Sequence, residues 1–438
     1  MGLGHLSADD PIFLDEDVFR DSYTPEEMVA RDEELNEYLQ TFKPIVRGKR
    51  PRNVFLYGKT GVGKTKGTEL VMDRLIEDAN DLSVNGDEIS VRVITLECKQ
   101  LNTSYQVAAN LINKFRTEAN RFPTTGVPAG DVYNTLYRHL REIDATHCVI
   151  VLDEIDSIGS DDEILYSLPR CNDNGNVPPE KTKVGVVGIC NSFSFKRGLS
   201  ARVQDSLCDE EILFPPYDAN DLRKILYQRA TKGIVGVEYH DEAGVTDYGV
   251  LGDDVIPLIA ALVAQESGSA RDALSLMYLS GKSCRERDGD TISEQDVREA
   301  RQREEQGRTA DEIRQLPIQG KLTMMAVMKL EDAGYPPLRS KDIYKAYSLV
   351  AEAADTDTLS LRSFRRRVSD LLVRDFLAYE ESNEGKSGGS YRKYELGGID
   401  DNVAREVVTQ NEDGESGRLA DIASRSFVQK FRRTLGEP

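Results

Sequence analysis

Four stretches of the chain carry the spacing of β-strands. Residues 53–57, NVFLY, are a short β-branched and aromatic run ending at a glycine, the pattern of a buried strand entering a turn. Residues 90–96, SVRVITL, alternate polar and apolar positions. Residues 148–152, CVIVL, and 184–189, VGVVGI, are continuously apolar, as parallel strands covered on both faces must be. Helical patterns over 67–78 and 131–143 separate them. Strands alternating with helices predict a doubly wound α/β domain over roughly residues 12–216, so residues 1–216 are assigned to it.

Beyond Pro215-Pro216 the spacing turns helical. Residues 218–229, 255–264, 269–280 and 293–302 each read as a helix, the last opened by Ser293 with Asp296 three positions on, a variant capping box. Residues 217–306 are therefore a small helical domain, and the polar stretch REEQGRTADE reads as a linker. Residues 312–398 form a third unit. Helices over 320–333 and 341–354 precede a third that starts at Ser360 and carries Leu361, Phe364, Val368 and Leu371 on one face. FLAYEE and YRKYEL then flank the tip SNEGKSGGS. Three helices plus a hairpin predict a winged helix. Residues 399–438 are polar and receive no element.

Composition adds limits. At 438 residues the chain holds two or three domains. Hydrophobic residues are 39%, and no apolar run approaches the roughly 18 residues of a membrane span, so no membrane association is expected. The start, MGLGHLSADDPIF, lacks the pattern of a secretory signal, and a cytoplasmic location is expected. Six scattered cysteines without a C-x-x-C pair exclude a zinc ribbon and point to reduced thiols. The net charge is −20, from 56 basic and 76 acidic residues, with twelve acids and two bases between Asp9 and Glu37. Alone, that charge argues against a polyanionic partner. Arginine (36) exceeds lysine (20). An acidic, lysine-poor surface is also what a protein of molar salt carries, where the Debye length is about 3 Å; an ordinary acidic composition is the alternative. In the first case local charge, not net charge, decides partners.

The segment Gly58-Lys59-Thr60-Gly61-Val62-Gly63-Lys64-Thr65, with Lys66 following, matches G-x-x-x-x-G-K-[ST] between a strand and a helix, the context a phosphate loop needs. Its glycines let backbone amides turn toward phosphate oxygens, and the helix N-terminus adds a favourable dipole. Lys64 can reach the β- and γ-phosphates of ATP, or the β-phosphate of ADP, and Thr65 can ligate Mg²⁺. Asp153-Glu154 closes the CVIVL strand. Asp153 can hold the magnesium shell and Glu154 can orient the attacking water. Asn191, ending the VGVVGIC strand, is a candidate for the γ-phosphate or that water. Arg202 and Arg271 are candidates to stabilise charge on the transferred phosphoryl group, although alone each also reads as a surface arginine.

The order of phosphate loop, DEID, strand-terminal Asn191, ARV, FPPY, helical GSAR lid and winged helix resembles the AAA+ ATPases. Within them, YGKTGVGKT, VLDEID, LSARVQDSL, FPPYDANDLRKIL and LPIQGKL look like the blocks of archaeal replication initiators related to the origin recognition complex large subunit and its loader partner. The likeness covers roughly residues 12–396. It implies that Asn191 is the first sensor, Arg202 an arginine finger and Arg271 the second sensor, and that Tyr217 and Arg229 contact the nucleotide. It also implies a DNA-touching insertion around residues 103–135. Ser269 stands where the family has Asp, and Gln204-Asp205 where it has Lys-Ser.

Residues 312–398 carry net charge +1, against −21 for the remainder. Arg362, Arg365, Arg366, Arg367 and Arg374 cluster on or beside the third helix, and the hairpin carries Lys386, Arg392 and Lys393. A basic third helix suits a major groove. The expected function is an ATP-dependent replication initiator with slow, regulatory hydrolysis. Its implied partners are double-stranded origin DNA, a replicative helicase of the minichromosome-maintenance family and further initiator copies, in a nucleoid-associated setting. The alternatives are a clamp-loader-like or non-origin regulator, and a module whose winged helix contacts protein.

Overall fold

A computed structural model describes residues 10–80, 83–84, 87–159, 161–240, 244–383, 390–409 and 424–435. The chain divides into two compact units, Met1–Arg298 and Glu299–Pro438.

The first unit is built on a parallel sheet. In chain order its early elements are α1 (Asp32–Thr41), β1 (Val54–Tyr57), α2 (Lys64–Asn80), a short hairpin β2 (Ser83–Val84) and β3 (Asp87–Glu88), β4 (Val91–Glu97), α3 (Ser104–Asn113), α4 (Ala129–Glu142) and β5 (His147–Asp153). There follow α5 (Glu163–Ser167), β6 (Lys183–Cys190), α6 (Phe193–Gly198), α7 (Ala201–Leu207) and β7 (Glu210–Leu213). The sheet order is β4-β5-β6-β1-β7, with every neighbouring pair parallel. The run CVIVL shows why the sheet is covered on both sides. Cys148, Ile150 and Leu152 enter one hydrophobic cluster and Val149 and Val151 the other. Side chains alternate along a strand, so a continuously apolar strand needs two apolar layers. The edge strand β7 was not expected, because EEIL places two acids beside only two apolar residues; Ile212 alone is buried there.

The lid continues this unit with α8 (Ala219–Gly233), a hairpin β8 (Val237–His240) and β9 (Gly244–Tyr248), then α9 (Val255–Glu266) and α10 (Ala270–Glu286). The hairpin escaped the sequence reading. Asp218 caps α8 through a full capping box. Ser293 and Asp296 form the expected reciprocal pair: the Ser293 amide donates to Asp296 (2.8 Å) and the Asp296 amide to Ser293 Oγ (3.5 Å).

The stretch read as a linker is helix. α11 runs from Glu294 to Arg314. It is polar on nearly all sides, so no apolar periodicity announced it. Ion pairs at helical spacing support it, Arg298–Glu294 at 3.3 Å and Arg301–Glu305 at 2.9 Å, each worth about 0.3–0.5 kcal/mol. Ala310 and Ile313 anchor its end in the second unit's core.

The second unit contains α12 (Ile318–Asp332), β10 (Leu338–Arg339), α13 (Ser340–Ala353), α14 (Leu361–Val373), β11 (Leu377–Asn383), β12 (Ser390–Leu396), α15 (Asp401–Thr409) and α16 (Ser424–Leu435). It is a winged helix with a three-stranded sheet ordered β10-β12-β11. Ser360 caps α14 by accepting the Ser363 amide. The tail is structured where described. Ala404, Val407, Val408 and Phe431 are buried in the winged-helix core, with Phe431 edge-on to Tyr335.

Candidate functional site

The C-terminal ends of β1, β5 and β6 converge on one cavity of about 630 Å³, within the size of ligand pockets generally. Tyr57 ends β1 and Lys64 begins α2, so residues 58–63 are the loop between them. Gly61 (φ 79°) and Gly63 (φ 94°) sit in the left-handed region. A Cβ at Gly61 would lie 2.0 Å from Ser269 Oγ, and one at Gly63 would lie 2.3 Å from Met28 Cε. Both positions therefore favour glycine by conformation, and at Gly61 the short Ser269 side chain leaves no space for a Cβ as well.

Lys64 is buried and donates to the carbonyls of Gly58 (2.9 Å) and Lys59 (2.8 Å) and to Asn191 Oδ1 (2.9 Å). Thr65 Oγ1 donates to Asp153 Oδ2 at 2.6 Å. Burial holds the Lys64 ammonium below its usual pKa, against the pull of Asp153, and burial raises the Asp153 carboxyl, against the Thr65 hydroxyl. A desolvated cation and a desolvated anion side by side fit a ligand bringing both signs of charge, such as a nucleotide phosphate with a divalent cation.

Glu154 also lines the cavity. Its backbone is left-handed (φ 55°, ψ 44°), a conformation costing a side-chain-bearing residue about 1–2 kcal/mol. Its amide donates to Asp153 Oδ1 at 2.8 Å. Arg271 lines the cavity half-exposed and is bonded to Asp21 at 2.9 Å. Arg229 is buried there, with its guanidinium 4.3 Å above the Tyr23 ring and no hydrogen-bond partner for Nε. Tyr217 lines the cavity too, with one ring face 3.7 Å beneath the Arg31 guanidinium. Thr60, Gly61, Gly63, Thr65 and Lys66 join them, and Lys66 also bonds Thr24 (2.7 Å) and Glu69 (3.1 Å). Ser269 takes over the capping of α10, accepting the Asp272 amide at 3.1 Å, while the Ala270 amide donates to the Gly61 carbonyl.

Arg202 stands apart. It is exposed on α7, pairs with Glu163 at 2.8 Å and does not line the cavity of its own chain. The sequence reading missed the segment around Val18–Val29, which walls the cavity and touches the phosphate loop through Met28, and Arg31 behind it. Arg31 did leave a trace, as one of the two cations in that acidic stretch.

On the winged helix the five arginines separate. A helix turns about 100° per residue, so Arg362, Arg365, Arg366 and Ser369 share one face, opposite buried Phe364, Val368 and Leu371. Arg362, Arg365 and Arg366 are exposed. Arg367 is turned aside and pairs with Asp370 at 2.9 Å; Arg374 follows the helix on that same side. On the hairpin, Arg392 faces Glu381 (3.5 Å) and stacks over Tyr379, and Lys393 faces Glu380 (4.0 Å) in register. Lys386 lies outside the described residues. The insertion around 103–135 forms α3, a turn at Glu118–Asn120 and the start of α4. Among the described residues no helix is long and apolar enough to cross a membrane.

Three family models match: an AAA domain over residues 47–189, the Cdc6 AAA+ ATPase-type lid domain over 241–302 and the CDC6 C-terminal winged helix domain over 311–405. ORC1-type DNA replication protein 1 of Haloarcula marismortui is 47% identical over 425 residues, covering 96% of this chain and 97% of that protein. ORC1-type DNA replication protein 8 of Halobacterium salinarum is 40% identical over 403 residues, covering 92% and 97%. The solved structure of the Aeropyrum pernix ORC1 protein in complex with DNA is 31% identical, with a TM-score of 0.73, over 92% of this chain and 97% of that one. The halophilic sources of the first two agree with the acidic, arginine-favouring composition. With the phosphate loop, lid and winged helix all matched at these identities, the chain belongs to the ORC1-type family of DNA replication initiators, AAA+ ATPases carrying a C-terminal winged helix.

Proposed function

We propose that this protein binds origin duplex DNA under the control of bound ATP and helps to recruit the replicative helicase, of the minichromosome-maintenance family, in the cytoplasm at the nucleoid. The observation that carries the DNA reading is the face of α14: Arg362, Arg365 and Arg366 lie together, exposed, and without an ion-pair partner among the described residues. In a chain of charge −20 such a face is a local exception, suited to phosphates and guanine edges.

At the cavity, Thr65 and Asp153 would hold Mg²⁺, which when bound neutralises phosphate charge. The loop amides from Gly58 to Thr65 and the Lys64 ammonium bind the phosphates of ATP or ADP, with Lys59, Thr60, Val62 and Lys66 shaping the cradle. Glu154 holds the attacking water and takes its proton. Asn191 holds Lys64 and the water in place. Arg271 and Arg229 meet the phosphates and nucleotide from the lid. Hydrolysis is slow and regulatory. Arg202, away from its own site, serves the site of a neighbouring copy. The test is chromosomal occupancy of the intact protein. Discrete sites coinciding with replication starts, lost with Arg365→Ala/Arg366→Ala, are expected; occupancy unchanged in that variant would reject the winged helix as reader.

A further inference from the structure

Arg31 sits behind the phosphate loop and is 2% exposed. Each of the three guanidinium nitrogens is engaged. Nε donates to the Val62 carbonyl at 3.3 Å, one terminal nitrogen donates to the Pro215 carbonyl, and the other pairs with Glu34 at 3.0 Å. Its central carbon lies 3.7 Å from the Tyr217 ring centre and 5.6 Å from that of Phe214. The residue before it, Ala30, is held at φ 57°, in the left-handed region that costs a side-chain-bearing residue energy.

Its partners belong to two parts that must act together. Val62 lies between the two left-handed glycines of the phosphate loop. Pro215 and Tyr217 lie where β7 gives way to α8, the first helix of the lid. Tyr217 is bonded through its amide to the Gly268 carbonyl, and Ala270, two residues on, donates to Gly61. A trans peptide points its C=O and N–H in opposite directions. Holding the Val62 carbonyl toward Arg31 therefore turns the Gly63 amide the other way, to the side where anions are cradled. Lysine's ammonium, a point charge on a flexible stem, has neither the fixed planar fork that spaces Nε and a terminal nitrogen toward two segments nor a flat face to lie on a ring.

We propose that Arg31 is a positioning residue that orients the Gly63 amide and ties that peptide to the start of the lid, so that nucleotide affinity and lid position are coupled through it. This rests on the nucleotide-site reading above. Tyr217 is then the platform of Arg31.

The test uses the full chain with ADP and Mg²⁺, comparing wild type, Arg31→Lys, Tyr217→Leu and the double variant. ADP affinity is read by calorimetry, and amide exchange is followed over the phosphate loop, residues 214–218 and the start of α10. In Arg31→Lys, ADP affinity falls about tenfold, within the usual range of allosteric coupling. At saturating ADP the phosphate loop keeps its protection, while the protection ADP gives to residues 214–218 and α10 is lost. Tyr217→Leu behaves alike, and the double variant is no worse than either single one. Wild-type affinity and protection in Arg31→Lys would overturn the proposal, as would additive losses in the double variant. Equal loss of protection with and without ADP would also overturn it, by reducing Arg31 to a brace. If Arg31→Lys shows no cooperative melting, Tyr217→Leu, which removes the ring that holds the guanidinium in place, decides alone. A wild-type chain that binds no ADP removes the nucleotide-site reading, and this proposal with it.

Discussion

Replacing Arg362, Arg365 and Arg366 together by Gln tests the exposed face of α14 as the surface that meets DNA. Each arginine that neutralises a phosphate contributes about 0.9 to the slope of log affinity against log salt, so the three contribute at most about 2.7. Over an about fivefold rise in salt that is a loss of about 80-fold carried by these side chains. Duplex binding measured by fluorescence anisotropy across such a range should show a shallower slope in the variant, by up to that amount. If Arg365 or Arg366 reads a base, its single replacement also costs about 1–3 kcal/mol and flattens the preference among duplexes. The matched control is Arg367→Gln with Arg374→Gln. It removes two neighbouring positive charges, one on α14 and one just past its end, from the side where Arg367 already pairs with Asp370. This control should leave the slope unchanged and stability within about 1 kcal/mol. A control that flattens the slope as much as the triple variant would refute the face assignment. An unchanged affinity in the triple variant would favour a winged helix that contacts protein.

Three further outcomes are expected. Glu154→Gln should bind nucleotide as the wild type does but lose phosphate release in a coupled assay; turnover at the wild-type rate would remove Glu154 from the chemistry. His147 is buried, donates through Nε2 to the Lys49 carbonyl at 3.1 Å, and is pulled down to a pKa of about 4, chiefly by burial. With an unfolded value near 6.5, its neutral native form costs stability as pH falls from about 6.5 to about 4, by up to roughly 3 kcal/mol, and nothing above that window. Denaturation of His147→Gln at both ends of the window should show that part of the acid sensitivity gone. Phe431→Ala should destabilise the second unit by about 3–5 kcal/mol, read as a lowered melting transition, because a fully buried ring is removed; a change below 1 kcal/mol would mean that α16 does not close that core.

The sheet strands were legible because CVIVL and VGVVGI are apolar throughout, which only a two-sided layer explains. The phosphate loop and Asp153-Glu154 were legible because their chemistry requires fixed spacing between a strand and a helix. What stayed hidden has physical reasons. α11 is stabilised by ion pairs instead of an apolar stripe. α16 shows only part of its core contact in a polar tail, since Phe431 docks on Tyr335, nearly a hundred residues earlier. The cavity wall around Val18–Val29 has no motif, because it packs by shape. Spacing grouped five arginines near α14, yet only the helix's rotation separates the three on the outer face from Arg367 and Arg374. The sequence shows Arg392 and Lys393 on a hairpin that also carries Glu380 and Glu381, and only the register shows each cation set opposite one of those acids.

The left-handed backbone of Glu154 sets up a conflict for anything that selects on robustness alone. Glycine would remove the strain there, and a stability-driven redesign or a drifting duplicate gene would be drawn to it. Such a copy would melt no earlier than its parent and keep the loop, the lysine and the lid, while the carboxylate proposed to work on water would be gone. If Glu154 has the proposed role, the side chain at this position would separate, among duplicated relatives, a timer that resets itself from one that, once loaded, stays set.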